Sequence, residues 1–145
     1  MSQLRPGIQQ SEYVRLVRLQ ESEVGFQLAS LREDDQVVCV AGFRFCRSLG
    51  WGKYLYVDDL ITDETRRSRG AGEAMFNWLL ERARNAECGE LRLDSALWRN
   101  EAHRFYLRER MDIICFHFRR AVNVPPHSAV NRRQARGGAK PTISI

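Results

Sequence analysis

Residues 65–72, TRRSRGAG, decide how this chain is read. They follow the apolar run KYLYVDDLIT (53–62) and precede a long helical pattern that starts at Gly72. Three arginines and two glycines fall within these eight residues. One reading is a solvated turn. The other is a cradle for phosphates, because a strand entering a helix through Gly-x-Gly presents backbone N–H groups with no intrahelical acceptor. The helix dipole adds partial positive charge at that end. Glycine lets an anion reach the backbone with no Cβ in the way. Arginine adds attraction and forked donors. By itself Gly-x-Gly is a weak signal. The stretch is not a P-loop, which needs Gly-Lys-Ser or Gly-Lys-Thr. It is not G-x-G-x-x-G either, because Met75 stands where the third glycine belongs.

The flanks supply the context. Upstream, SEYVRLVRLQE (11–21) reads as a short helix with Ser11 as N-cap and with Tyr13 or Val14, Leu16 and Val17 on its apolar stripe. GFQLASL, REDDQ and VVCVAGFRFC read as strand, turn and strand. RSLGWG is a second turn and KYLYVDDLIT a third strand, which completes an antiparallel meander. Downstream, Met75, Trp78, Leu79, Ala83 and Ala86 recur at helical steps, and Gly89 is placed to end that helix. LRLDSAL (91–97) reads as a strand. NEAHRFYLRER (100–110) reads as a helix with Ala102, Phe105 and Tyr106 on one stripe, and IICFHF (113–118) as a last strand. Hairpins early and helix crossovers late make a mixed sheet in an α/β fold.

In this setting LITDETRRSRGAGEAMFNWLLE resembles motif A of the GNAT N-acetyltransferase superfamily, Gln/Arg-x-x-Gly-x-Gly/Ala between a strand and a helix. The matching residues are Arg67, Ser68, Arg69, Gly70, Ala71 and Gly72. NEAHRFYLRERM is similar to the family's later motif, a helix that ends in a Phe-Tyr pair before a final strand. The resemblance covers roughly residues 12–120. It implies the GNAT acyl-CoA N-acyltransferase fold, a mixed twisted sheet with helices on both faces. It implies that the backbone amides of 67–72 bind the pyrophosphate of acetyl-CoA. The strand end Leu60, Ile61 and Thr62 would pair with the pantetheine arm. Asn100 would touch CoA, although it stands one residue closer to the tyrosine than in many members.

Tyr106 matches the family tyrosine that protonates the departing CoA thiolate, and a phenol with a pKa of about 10 suits that task. A core tyrosine is the structural alternative. Asp58 or Asp59, on the strand before the cradle, is the candidate general base. Strand alternation points the two to opposite faces, and a strand-end acid that merely solvates is the alternative. His103, one turn before Tyr106, is a base, a substrate contact or a surface histidine. The implied function is acetyl transfer from acetyl-CoA to a primary amine of a small molecule or peptide, by direct attack in a ternary complex. A strand N–H polarises the carbonyl, and no metal is required. Asp58, Asp59 and Asp94 suit a cationic acceptor. Two departures from the family stand out: no first strand is expected before the helix at 11–21, and Arg110 sits where a glycine is common.

At 145 residues the chain reads as one domain, 1–122, with a flexible tail, 123–145. The tail holds Arg132, Arg133, Arg136 and Lys140 and no acid, so it carries four of the five net positive charges. The nearly neutral body argues against a basic nucleic-acid face. The strand-prone end PTISI is expected to cover a sheet edge, in cis or in a homodimer. No apolar run approaches the ~18 residues that span a membrane, and no signal-peptide core opens the chain, so the expected location is cytoplasmic. The four cysteines form no C-x-x-C pair and read as buried thiols. Cys115 and His117 share a face of the expected last strand, but with no second ligand pair no zinc site is expected. Two rival functions remain: a non-catalytic acyl-CoA-binding regulator, and a nucleic-acid module that uses the tail.

Overall fold

Three consecutive β-rich runs fold as three consecutive antiparallel strands, β1 (Gln27–Glu33), β2 (Gln36–Ser48) and β3 (Gly52–Thr62). The computed structural model describes residue 3 and residues 7–122. The β1–β2 turn is made by Asp34 and Asp35, both at positive φ, a backbone state that aspartate tolerates. A 3-10 turn (Glu64–Arg66) leads to helix α2 (Ala71–Asn85), which crosses over to β4 (Glu90–Leu93). That crossover makes β4 parallel to β3, from Tyr54↔Glu90 to Val57↔Leu93. The sheet order is β1-β2-β3-β4. Helix α1 (Gln10–Val24) precedes the sheet and α3 (Asn100–Arg108) follows it.

The core lies between one sheet face and α2. Ala71, Met75, Leu79 and Ala83 repeat every four residues, and pack on Val38, Cys39, Ala41 and Phe43 of β2 and Leu55 and Val57 of β3. Trp78 stays at the margin of this stripe, edge-on to Phe43 with ring centroids 5.7 Å apart. Helix α1 serves the opposite face, with Tyr13, Leu16 and Val17 half-buried. It ends at Gly25 in the left-handed region, with the Gly25 and Phe26 N–H groups donating to Glu21 and Gln20 carbonyls. Phe26 is then buried against Gly42, where a Cβ would collide with its ring.

One irregularity in β3 matters for the site. The pairing with β2 slips between Phe43↔Val57 and Gly42↔Asp59, which leaves Asp58 as an extra residue. This β-bulge bends the strand and leaves a backbone position outside the ladder.

Several sequence expectations change. The strand expected over 91–97 stops at Leu93, because β3 and β4 part there. The strand expected over 113–118 is absent: those residues have no ladder partner, and Phe116 and Phe118 are 79% and 90% exposed. Apolar composition supplies propensity, but a strand also needs a neighbour. Helix α1 starts one residue early, with Gln9 at the cap position and no side-chain cap bond, so Ser11 lies inside it. Helix α2 ends at Asn85, and Gly89 instead donates its N–H to the Lys53 carbonyl at 2.8 Å, which sets the start of β4 against β3. Cys115 is exposed, so only Cys39 of the four thiols is fully buried. Arg110 adopts φ 62, the left-handed state that favours glycine, at a cost of about 1 kcal/mol. No strand precedes α1 among the described residues. The expectations for 123–145, including PTISI, lie outside the described residues.

Candidate active site

The parting of two parallel strands creates the site. β3 runs on to Thr62 after β4 has ended at Leu93. Residues 58–62 therefore have no strand on the side where β4 would continue, and their outward backbone groups are available to an extended ligand. Leu60, Ile61 and Thr62 are on this open edge. Thr62 also donates its hydroxyl to Cys39 Sγ at 3.5 Å.

The edge leads into the glycine-rich stretch. Arg67 is extended, Ser68 has φ 61 and Gly70 has φ 88, and α2 begins at Ala71. No side chain caps the helix, so its first-turn N–H groups are offered outward. Arg67 and Arg69 are exposed beside them. Arg66 is not part of this cluster: its guanidinium turns to the β1–β2 hairpin, 3.4 Å from Gln36 Oε1 and 3.9 Å from Glu33. A Cβ on Gly72 would lie 3.1 Å from Thr62 Oγ1 and 3.8 Å from the Phe105 ring. Glycine there lets the start of α2 approach the end of β3 and the helix that carries Tyr106. These residues fit an anionic, extended ligand such as a CoA thioester.

Tyr106 stands on α3 beside Phe105, ring centroids 5.5 Å apart, and Phe105 packs edge-on against Phe76 of α2 at 5.8 Å. Burial pushes the Tyr106 phenol above its usual value, with Arg99 opposing weakly. It is therefore protonated at neutral pH, as a proton donor must be. Asn100 is exposed at the first position of α3, and His103 is half-buried one turn before Tyr106.

The two aspartates depart from the expected alternation. Asp58 pairs with Arg44, whose Nε and Nη2 lie 3.0 and 3.1 Å from Oδ2 and Oδ1. Asp59 lies on the side of Gly42, where a Cβ would meet its Oδ2 at 3.5 Å. Gly42 and Arg44 share one face of β2, so Asp58 and Asp59 point to the same side, the side of α1. The bulge is the cause, since its two residues oppose a single partner. Tyr13 of α1 faces this acidic pair: burial, then the Asp59 charge, raises its phenol pKa. Tyr13 Oη and Ser95 Oγ are buried without a hydrogen-bond partner among the described residues.

Asp94, expected on the acceptor side, is joined by Tyr56 and His117, which the sequence did not mark as site residues. Tyr56 Oη donates to Asp94 Oδ2 at 2.7 Å, across the two strands just where they part. Burial, then Asp94, pushes the Tyr56 phenol strongly upward, and Arg44 lies 5.0 Å over its ring. His117 Nδ1 lies 2.8 Å from the same Asp94 oxygen. Tyr56, Asp94 and His117 line a cleft of about 540 Å³ between β4 and residues 109–117. Only their acidic or aromatic character was visible in sequence; their partners are distant along the chain.

Residues 3–111 match the model of the acetyltransferase (GNAT) family. The uncharacterized N-acetyltransferase YhdJ of Bacillus subtilis (strain 168) is 30% identical over 106 residues, 73% of this chain and 75% of its own. Among solved structures, glucosamine-6-phosphate N-acetyltransferase from Arabidopsis thaliana superposes with a TM-score of 0.63 at 15% identity, over 81% of each chain. An aminoglycoside acetyltransferase from an uncultured soil metagenomic sample gives 0.66 at 15% identity, over 81% of this chain and 77% of its own. With the open strand edge, the uncapped glycine-rich helix start and the family match in agreement, this chain belongs to the GNAT acetyltransferase family.

Proposed function

We propose that the protein transfers an acetyl group from acetyl-CoA to a primary amine of a small molecule, by direct attack in a ternary complex. The observation that carries this reading is the unpaired edge of β3 running into the uncapped start of α2. The amides of 67–72 and the guanidinium groups of Arg67 and Arg69 hold the pyrophosphate. The edge of Leu60, Ile61 and Thr62 aligns the pantetheine arm, and Asn100 borders it. The backbone freed by the bulge at Asp58 supplies a donor for the thioester carbonyl. Tyr106, kept neutral by burial, protonates the departing thiolate. Asp58, Asp59 and Asp94 give the acceptor side a negative field that draws an ammonium group. Because Arg44 occupies both oxygens of Asp58 and offsets its charge, Asp58 is not the proton acceptor and the field comes mainly from Asp59 and Asp94. The names of two structural neighbours record amine-bearing sugars as their substrates, which supports the same acceptor class here.

Calorimetric titration with acetyl-CoA and CoA tests the reading. The native chain is expected to bind both at about micromolar Kd. The double variant Gly70→Glu, Gly72→Glu is expected to lose at least about a hundredfold, with an unchanged circular dichroism spectrum. A folded native chain that binds neither would overturn the acetyltransferase proposal.

A further inference from the structure

We propose that His117, held by Asp94, takes the proton from the attacking amine; this deepens the acetyl-transfer reading and rests on it. Asp94 is the first residue beyond the last β3–β4 pair, so its carboxylate stands at the apex of the parting strands. Tyr56 anchors that carboxylate from the neighbouring strand at 2.7 Å. His117 gives its Nδ1 side to the same oxygen at 2.8 Å. The 2.8 Å contact is an ion-pair distance, and an imidazole that turns its Nδ1–H onto that carboxylate carries its lone pair on Nε2. The His117 side chain is 68% exposed and borders the cleft, so Nε2 is accessible to a ligand and to solvent. Asp58, the extra residue of the bulge, is engaged by Arg44. The other charged or titratable side chains around the cleft are Tyr54, Glu90, Arg92, Glu109, Arg110, Asp112 and Cys115. Arg92 is turned away onto Glu90 at 2.8 Å and over Trp51 at 3.6 Å.

The acceptor ammonium gives one proton to His117 Nε2, which passes it to solvent. The amine lone pair then forms the C–N bond while the C–S bond breaks with its electron pair on sulfur. Tyr106 protonates the thiolate, and the proton leaving the acylated nitrogen restores the phenol. Asp94 and Tyr56 are positioning residues, because they act through the imidazole.

The full chain is tested with acetyl-CoA and with glucosamine 6-phosphate and kanamycin as acceptor probes. In His117→Gln, kcat/KM is expected to fall about a hundredfold, with its decline toward acid moved up to follow the acceptor's own ammonium group, while the acetyl-CoA Kd is unchanged. Nitrogen NMR of the imidazole, which needs no acceptor, is expected to show His117 protonated on Nδ1, with the tautomers mixed in Asp94→Asn. A His117→Gln profile that superimposes on the native one, or a native His117 protonated on Nε2, overturns this inference alone. A native chain that does not bind acetyl-CoA overturns the acetyl-transfer reading and this inference with it.

Discussion

Helices α1 and α2 are both 15 residues long and lie on opposite faces of one sheet, yet they are held very differently. α2 buries Ala71, Met75, Phe76, Leu79 and Ala83; α1 fully buries no residue. Because the start of α2 is fixed by the core, the glycine-rich cradle inherits the stiffness of that packing. Preorganised donors hold an anion best when their support cannot relax. α1 is attached through half-buried side chains, the Gly25 cap and the Phe26 anchor. A layer with so little buried surface opens locally at low cost, and it stands over the acidic face where the acceptor is proposed to enter.

The contrast can be broken in three ways. The largest effect is expected from Leu79→Ala, which empties a fully buried site and should cost roughly 2–5 kcal/mol. Leu16→Ala in α1 should cost about 1 kcal/mol or less. Equal losses in urea unfolding would show that the two helices are equally anchored. A smaller effect follows from Gly42→Ala, whose Cβ collides with Phe26. It should cost about 1–3 kcal/mol and speed amide hydrogen exchange in α1 while leaving α2 protected. Uniform acceleration in both helices would contradict the separation. The smallest effect concerns the turn that feeds α2. Asp63 accepts from the Thr65 hydroxyl at 2.6 Å and the Thr65 N–H at 2.9 Å, and these bonds, the hydroxyl first, hold its carboxyl below the usual aspartate value. A depressed folded-state pKa means the contribution is present above the unfolded-state value and is lost as pH falls through the folded-state one. The small Tm advantage of the native chain over Asp63→Asn is therefore expected to be constant near neutrality and to close on acidification through and below the aspartate range. An advantage that persists at the acid end would show that the cap does not set it.

The parts of the molecule written in local patterns were legible in the sequence. The four-residue stripe of α2, the two hairpin turns and the glycine-rich helix start each depend on neighbours a few positions away. What was not legible depends on distant partners. The bulge at Asp58 is a mismatch between two strands, so neither strand alone announces it, and it overturned the alternation expected of Asp58 and Asp59. Residues 113–118 have the composition of a strand but lack a ladder partner. Tyr56, Asp94 and His117 meet across 38 and 23 positions, and nothing in their local sequence marks them as one cluster. Arg110 was legible in reverse, since its place where glycine is common in the family matches the positive φ it adopts.

The extra residue in β3 also changes how the strand's sequence encodes its two sides. Before it, Leu55 and Val57 face the core; beyond it, Leu60 and Thr62 do. The parity of inward positions flips from odd to even within a single strand. Deleting Asp58 or Asp59 would restore simple alternation, with Leu60 and Thr62 still facing the core and Ile61 still facing away. The core therefore does not need the extra residue. What it adds is two acids side by side on the α1 face and one backbone position outside the ladder, so its loss is expected to be felt at the acidic face and not in the packing.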